Sequence, residues 1–233
     1  MRARTDWRRT VVIAAATCTM LLAGSCSQPY GPPAVAGEGS AAAATKDEQR
    51  AILVPVLRHY LRAGFTPSAP NPRRVVLATQ TAMICLLSSA EPCARLQEAS
   101  FQRLGKRPSR YEQALLGARN ISDGVVAMMK AGEVPQVMGQ GLMEANQQAA
   151  PVDREGLPDF VVPLAKDDLH ALISKGDWRS DWTPFHAIYP DAAGYAEVST
   201  AVVSHDRRHA MIFVRFRCGS RCGGGDLHRL DRK

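Results

Sequence analysis

In the stretch KDEQRAILVPVLRHYLRAGF, apolar residues recur three and four positions apart, and Ile52, Leu53, Val56, Leu57, Tyr60 and Leu61 share one side of a helical wheel. The spacing predicts an amphipathic helix opened by acidic residues and stopped by Gly64, with Pro55 as a start or a kink. The β-branched run VVLATQT predicts a strand, and a second apolar segment ends at Cys85. Residues 111–150, rich in Ala, Gln, Leu, Met and Glu, predict helix with Ser122 as a cap before DGVVAMMKAG. Met128, Met129, Met138 and Met143 are expected to pack a core rather than to bind metal.

From residue 158 the pattern changes. DFVVPLAKDDLHALI predicts a short strand, a turn and a helical turn led by Asp167 and Asp168. GYAEVSTAVVS, HAMIFVRFRC and GDLHRL then predict three strands, with HDRR turning the chain between the first two. The expected fold class is α+β, a helical N-terminal half with a C-terminal antiparallel β-sheet.

The N-terminus follows neither pattern. A basic start (Arg2, Arg4, Arg8, Arg9) leads into the apolar run TVVIAAATCTMLLAG and small residues closing on Cys26, as in an export signal. The run is about 15 residues, short of the ~20 that span a bilayer. LLAGSC resembles the bacterial lipobox, which is cut just before a cysteine whose thiol then carries a diacylglycerol. That resemblance implies lipidation at Cys26; Ser25 is an insertion relative to the commonest form, so ordinary cleavage nearby is the other reading. Residues 1–25 are therefore expected to be a lipoprotein-type signal peptide, and the Pro-, Gly-, Ser- and Ala-rich residues 26–45 a flexible tether. Residues 46–233 are expected to form a single α+β domain with a β module at about 158–230. The expected location is the bacterial cell envelope, facing the periplasm, with the membrane as partner through the lipid anchor.

Charge and cysteine refine this picture. The net charge is +7, of which residues 1–25 supply +3 through four Arg and one Asp, leaving +4. Residues 205–233 alone hold eight Lys/Arg against three Asp, so the excess lies at the C-terminal end. No aromatic stacking pattern accompanies these charges, and in an exported chain a solvated basic face is expected rather than a nucleic-acid partner. Of six cysteines, Cys18 leaves with the signal and Cys26 takes the lipid. Cys85, Cys93, Cys218 and Cys222 remain, an even number in an oxidising compartment, which predicts disulfides. Among three connectivities, Cys85 with Cys93 and Cys218 with Cys222 needs the least loop closure.

The C-terminal half carries an ordered set: Trp182, Phe185, Tyr189, Pro190, Gly194, Ser199, Ser204, Asp206, Ala210, Val214, Cys218, Gly219, Cys222 and Gly223 to Gly225. This set resembles a group of small exported bacterial proteins, often lipoproteins, without an established biochemical function. The resemblance covers roughly residues 158–230 and implies a shared hairpin module with a cysteine and glycine corner, not a catalytic residue. Members continue past the last strand with a Gly-Lys-Trp type ending that LDRK does not match, which leaves the pairing of the last strand open.

Each candidate chemistry has a plainer alternative. His205, His209, Cys218, Cys222 and His228 suggest zinc, yet strands of about eight residues put histidines and cysteines about 25 Å apart. Cys218-x-x-x-Cys222 is one residue too long for a thioredoxin-type centre and lacks its helix. Ser204, His205 and Asp206 are consecutive and on a strand would alternate faces, so they form no triad. CGGGD has no Lys-Ser/Thr after it and is not a phosphate loop, and its glycines are expected at positive φ. Asp153, Glu155 and Asp159 read as a solvated loop. No catalytic residue, metal or cofactor is expected. The expected function is a non-catalytic binding or interaction domain on a lipid anchor, and the alternative is an envelope hydrolase centred on His186 with Asp181 or Asp191.

Overall fold

The computed structural model describes residues 7–14, 40–62, 71–84, 110–173, 181–219 and 222–232. Cys26, Cys85 and Cys93 lie outside these residues. The predicted first helix is α1 (Lys46–Arg62). It opens with a reciprocal cap: the Thr45 N–H donates to Glu48 Oε2 at 3.0 Å, and the Glu48 N–H reaches Thr45 Oγ1 at 3.4 Å. The helix continues through Pro55, neither starting nor stopping there. One lost main-chain bond is outweighed by a buried face, since Ile52, Leu53, Val56, Leu57 and Tyr60 are all within 2% of full burial.

Among the described residues, eight strands form one sheet. They are β1 (Trp7–Ala14), β2 (Ala42–Ala43), β3 (Arg74–Ala78), β4 (Val161–Leu164), β5 (Ala192–Val198), β6 (Val202–Val203), β7 (His209–Gly219) and β8 (Cys222–Arg232). The main order is β1-β8-β7-β5-β3-β4, with β2 and β6 paired to each other and β6 to β7. The strands from β5 to β1 are antiparallel neighbours, but β3 runs parallel to both β4 and β5. The C-terminal strands β5 to β8 are antiparallel as expected, but the sheet as a whole is mixed, because β3 and β4 add a parallel part. Its cause lies in β3, which is apolar on both faces and suited to a central position: Val75 and Leu77 face one core, Val76 and Ala78 another. Parallel neighbours need long crossovers, and the helices between these strands supply them.

Those helices are α2 (Arg110–Lys130), α3 (Gln136–Ala145), α4 (Lys166–Leu172) and α5 (Thr183–Ile188). Ser122 is not a cap but a mid-helix residue of α2, fully buried, whose hydroxyl donates to Met143 Sδ at 3.3 Å. Met138 and Met143 are buried, and Met128 and Met129 pack at the edge of the same cluster. The chain TPFHAI, to which the sequence pattern assigned no element, is helical. Asp181 accepts a hydrogen bond from the Thr183 N–H at 2.9 Å and Pro184 sits in the first turn, both helix-start signals.

The two sheet faces differ. One packs against α1, where Leu53, Val56 and Leu57 meet Val75, Leu77, Ile212 and Val214. The other carries two separate apolar clusters. In one, Val125, Met138 and Leu142 join Met211 and Phe213; in the other, Leu169 and Phe185 join Val76 and Tyr195. Glu197, Arg215 and Arg217 occupy positions on this second face that belong to neither cluster.

The strand Trp7–Ala14 falls within the segment read as an export leader, and it pairs with β8 from Asp226 to Arg232. β8 is also paired along its length with β7, which settles the last strand's main partner.

Candidate functional site

The cysteine corner closes the hairpin of β7 and β8. Cys218 and Cys222 form a disulfide with their Cα atoms 5.1 Å apart, and Gly219 pairs with Cys222 across the turn. The stretch is a staple, as its glycine-rich strand context predicts. Its glycines are of different kinds. Gly223 alone of the three has positive φ, Gly224 faces open space, and a Cβ on Gly225 would press 2.8 Å from the Phe213 ring. The expectation of three turn-type glycines is corrected accordingly: Gly225 makes room for an aromatic ring. Gly194 is the most constrained, since a Cβ there would lie 2.3 Å from the Arg217 carbonyl oxygen.

Beside this corner lies a polar group built by strand register. On β5, Tyr195 and Glu197 are two residues apart and share a face; on β7, Arg217 and Arg215 stand directly opposite them. Glu197 is 7% exposed, and both of its oxygens are engaged, Oε1 with Lys166 Nζ at 3.2 Å and Oε2 with Arg215 Nη1 at 3.1 Å. Burial raises its pKa, but Lys166, Arg215 and Arg217 together hold it below the ordinary carboxylate value. Three cations thus surround one carboxylate. Arg217 is exposed and makes no ion pair among the described residues.

Tyr195 is 1% exposed and its hydroxyl has no hydrogen-bond partner among the described residues. A buried unbonded hydroxyl costs about 1–3 kcal/mol. Burial and the Glu197 charge raise its pKa, and Arg217 opposes them, so the phenol stays protonated and remains a donor. The His186 ring packs against Trp182 and Phe185, with centroids 6.2 and 5.3 Å away. Both ring nitrogens are buried without a hydrogen-bond partner among the described residues. Burial lowers the His186 pKa, and the Cys218 main chain partly opposes that shift. This end of the sheet therefore gathers two unbonded polar groups, His186 and Tyr195, near an uncommitted cation.

The acidic residues considered with His186 point elsewhere. Asp181 bonds Thr183 at the start of α5, and Asp191 pairs with Arg74 Nε at 3.2 Å. The other candidates are also spread out. His209 Nδ1 bonds Asp231 at 2.6 Å at the end of the hairpin remote from the cysteines, and Ser204 Oγ donates to Asp206 at 2.6 Å within the turn. No group of three or more metal-ligating side chains forms among the described residues.

His228, by contrast, is fully buried on the α1 face. Its Nε2 lies 2.9 Å from the Tyr60 hydroxyl, which is 2.8 Å from Asp226 Oδ2. One hydroxyl has one proton; with Tyr60 donating to Asp226, His228 donates its Nε2–H to Tyr60. Tyr60 also stacks on Phe216 with centroids 4.5 Å apart. Sequence reading placed Tyr60 in the core but had no signal for this pairing, and it passed over Tyr195, Glu197, Arg215 and Arg217.

The chain matches no protein-family model, and no curated protein or solved structure is similar to it at a significant level.

Proposed function

We propose that this chain is an exported, lipid-anchored protein of the bacterial envelope whose folded part binds a ligand or partner without transforming it. The observation that carries the reading is the Cys218–Cys222 disulfide, a bond that persists in oxidising compartments, in a chain whose N-terminus carries the leader pattern ending LLAGSC. Binding is favoured over hydrolysis because Asp181 and Asp191 are engaged with Thr183 and Arg74, so neither orients His186 as a base. The resemblance to small exported proteins, the membrane as partner and the periplasmic face belong to the same proposal.

The test is intact mass of the protein purified from its native envelope, with and without reduction before thiol labelling. The expected result is a chain beginning at Cys26 with a lipid-sized increment, and four cysteines that label only after reduction. A chain beginning elsewhere without lipid overturns the anchor. Labelling of Cys218 and Cys222 without reductant overturns the oxidising compartment.

A further inference from the structure

We propose that the end of the sheet bounded by Tyr195, Arg217 and His186 binds a carboxylate, with Arg217 supplying the charge and the Tyr195 hydroxyl a directed donor. The inference deepens the binding reading above and rests on it.

Three observations lead there. First, the Tyr195 hydroxyl is buried and lacks an acceptor among the described residues, so the fold holds a donor it does not itself use. Second, Arg217 stands directly across the strand pair from Tyr195, exposed and without an ion pair among the described residues. Third, Glu197 cannot serve as its internal counter-ion by contact, because both carboxylate oxygens are held by Lys166 and Arg215. The result is a buried donor and an exposed guanidinium on cross-strand partner residues, in a field of excess positive charge.

The same residues select among anions. One fork and one hydroxyl match the two oxygens of a carboxylate. Glu197, on the same face two residues from Tyr195, is outweighed by the three cations around it, so the match of fork and hydroxyl to two oxygens, and not net charge, favours a carboxylate. The Cys218 main chain, next to Arg217 in sequence, acts on the His186 ring, and a neutral imidazole carries one donor and one acceptor nitrogen. A peptide C-terminus, with an amide beside its carboxylate, fits that arrangement, as does a small carboxylic acid.

The experiment is calorimetric titration of the protein purified from its native envelope. The probes are N-acetyl-alanyl-alanine as the free acid, the same peptide as its C-terminal amide, acetate, and inorganic phosphate. The free acid should bind, with the amide weaker by about tenfold or more, and phosphate binding more tightly than the free acid would overturn the assignment to a carboxylate. Tyr195→Phe and Arg217→Gln should each weaken free-acid binding by about tenfold or more. Tyr195→Phe should leave the unfolding midpoint unchanged or higher, since it removes an unbonded hydroxyl. Acetate binding as tightly as the peptide acid assigns small acids as the source; much weaker acetate binding assigns a peptide terminus.

The site is overturned if no carboxylate binds, if both substitutions leave binding intact, or if Tyr195→Phe lowers the midpoint and so reveals a hydroxyl bonded within the fold. The failures are separable. Absence of carboxylate binding by a lipidated, disulfide-bonded chain removes this site and leaves the envelope reading standing. Cleavage of the peptide acid during titration removes the non-catalytic reading and leaves the carboxylate site standing.

Discussion

Tyr60 ties α1 to β8 through a single hydroxyl, joining positions 166 and 168 residues apart in the chain. Its removal leaves a buried histidine N–H and a half-buried carboxylate without their partner. Tyr60→Phe is therefore expected to lower stability by about 1–3 kcal/mol in a urea titration, although the ring and its stacking on Phe216 are retained. An unchanged midpoint would show that water replaces the hydroxyl. His186 makes a second prediction. Burial holds its folded pKa below the ordinary 6.5, so the unfolded chain takes up its proton first as pH falls. The folded state thus loses stability as pH drops below about 6.5, and none of this loss is present above it. His186→Phe removes the titrating group while keeping an aromatic ring, and its stability should fall less than that of the wild type between pH 7 and 5. Parallel decline of both proteins would show that the ring is solvated. A histidine beside Phe185 and Tyr189 reads in sequence as a packed one, which the contacts with Trp182 and Phe185 bear out, but the environment of Tyr60 was not legible there. Apolar spacing placed Tyr60 on a buried helix face, but spacing says nothing of a strand partner so distant along the chain.

Among the elements, β8 depends most on how the chain is processed. From Asp226 to Arg232 it is bonded to β7 on one side and to Trp7–Ala14 on the other. If export removes residues 1–25, one row of β8 main-chain groups loses its partner and becomes an open edge. Hydrogen exchange should then find alternate β8 amides, those directed toward β1, exchanging faster in the processed chain than in the unprocessed one. The amides bonded to β7 should remain protected in both. Full protection of all β8 amides after processing would mean that another segment takes the edge. The elements also differ in how plainly they were written. α1, β3, β4, α4 and the β7–β8 hairpin followed their periodicity, because each has one strong apolar pattern and a clear stop. α5 did not, because six residues are too few for periodicity to show and only Asp181 and Pro184 marked its start. The parallel setting of β3 was not legible either, since β-branched residues signal a strand and not its direction.

For the molecule as a whole, the sheet divides labour between its faces. The α1 face carries the Tyr60, Asp226 and His228 group and, among the described residues, the largest buried apolar cluster. The opposite face is covered by two helical groups, and the positions that neither cluster includes hold Glu197 among Lys166, Arg215 and Arg217. By itself, the sequence determined the α+β class, the individual strands of the C-terminal module and the Cys218–Cys222 staple. These are local properties, set by periodicity, composition and a four-residue separation between Cys218 and Cys222. Only the tertiary structure decided which strands adjoin, that β3 enters between β4 and β5, and that Tyr195 faces Arg217 while Glu197 faces Arg215. Register and long-range pairing depend on burial across the whole sheet, where a shift of one residue would exchange the faces. The proposed site arises there, from residues unremarkable along the chain that acquire their chemistry from the neighbours the sheet gives them.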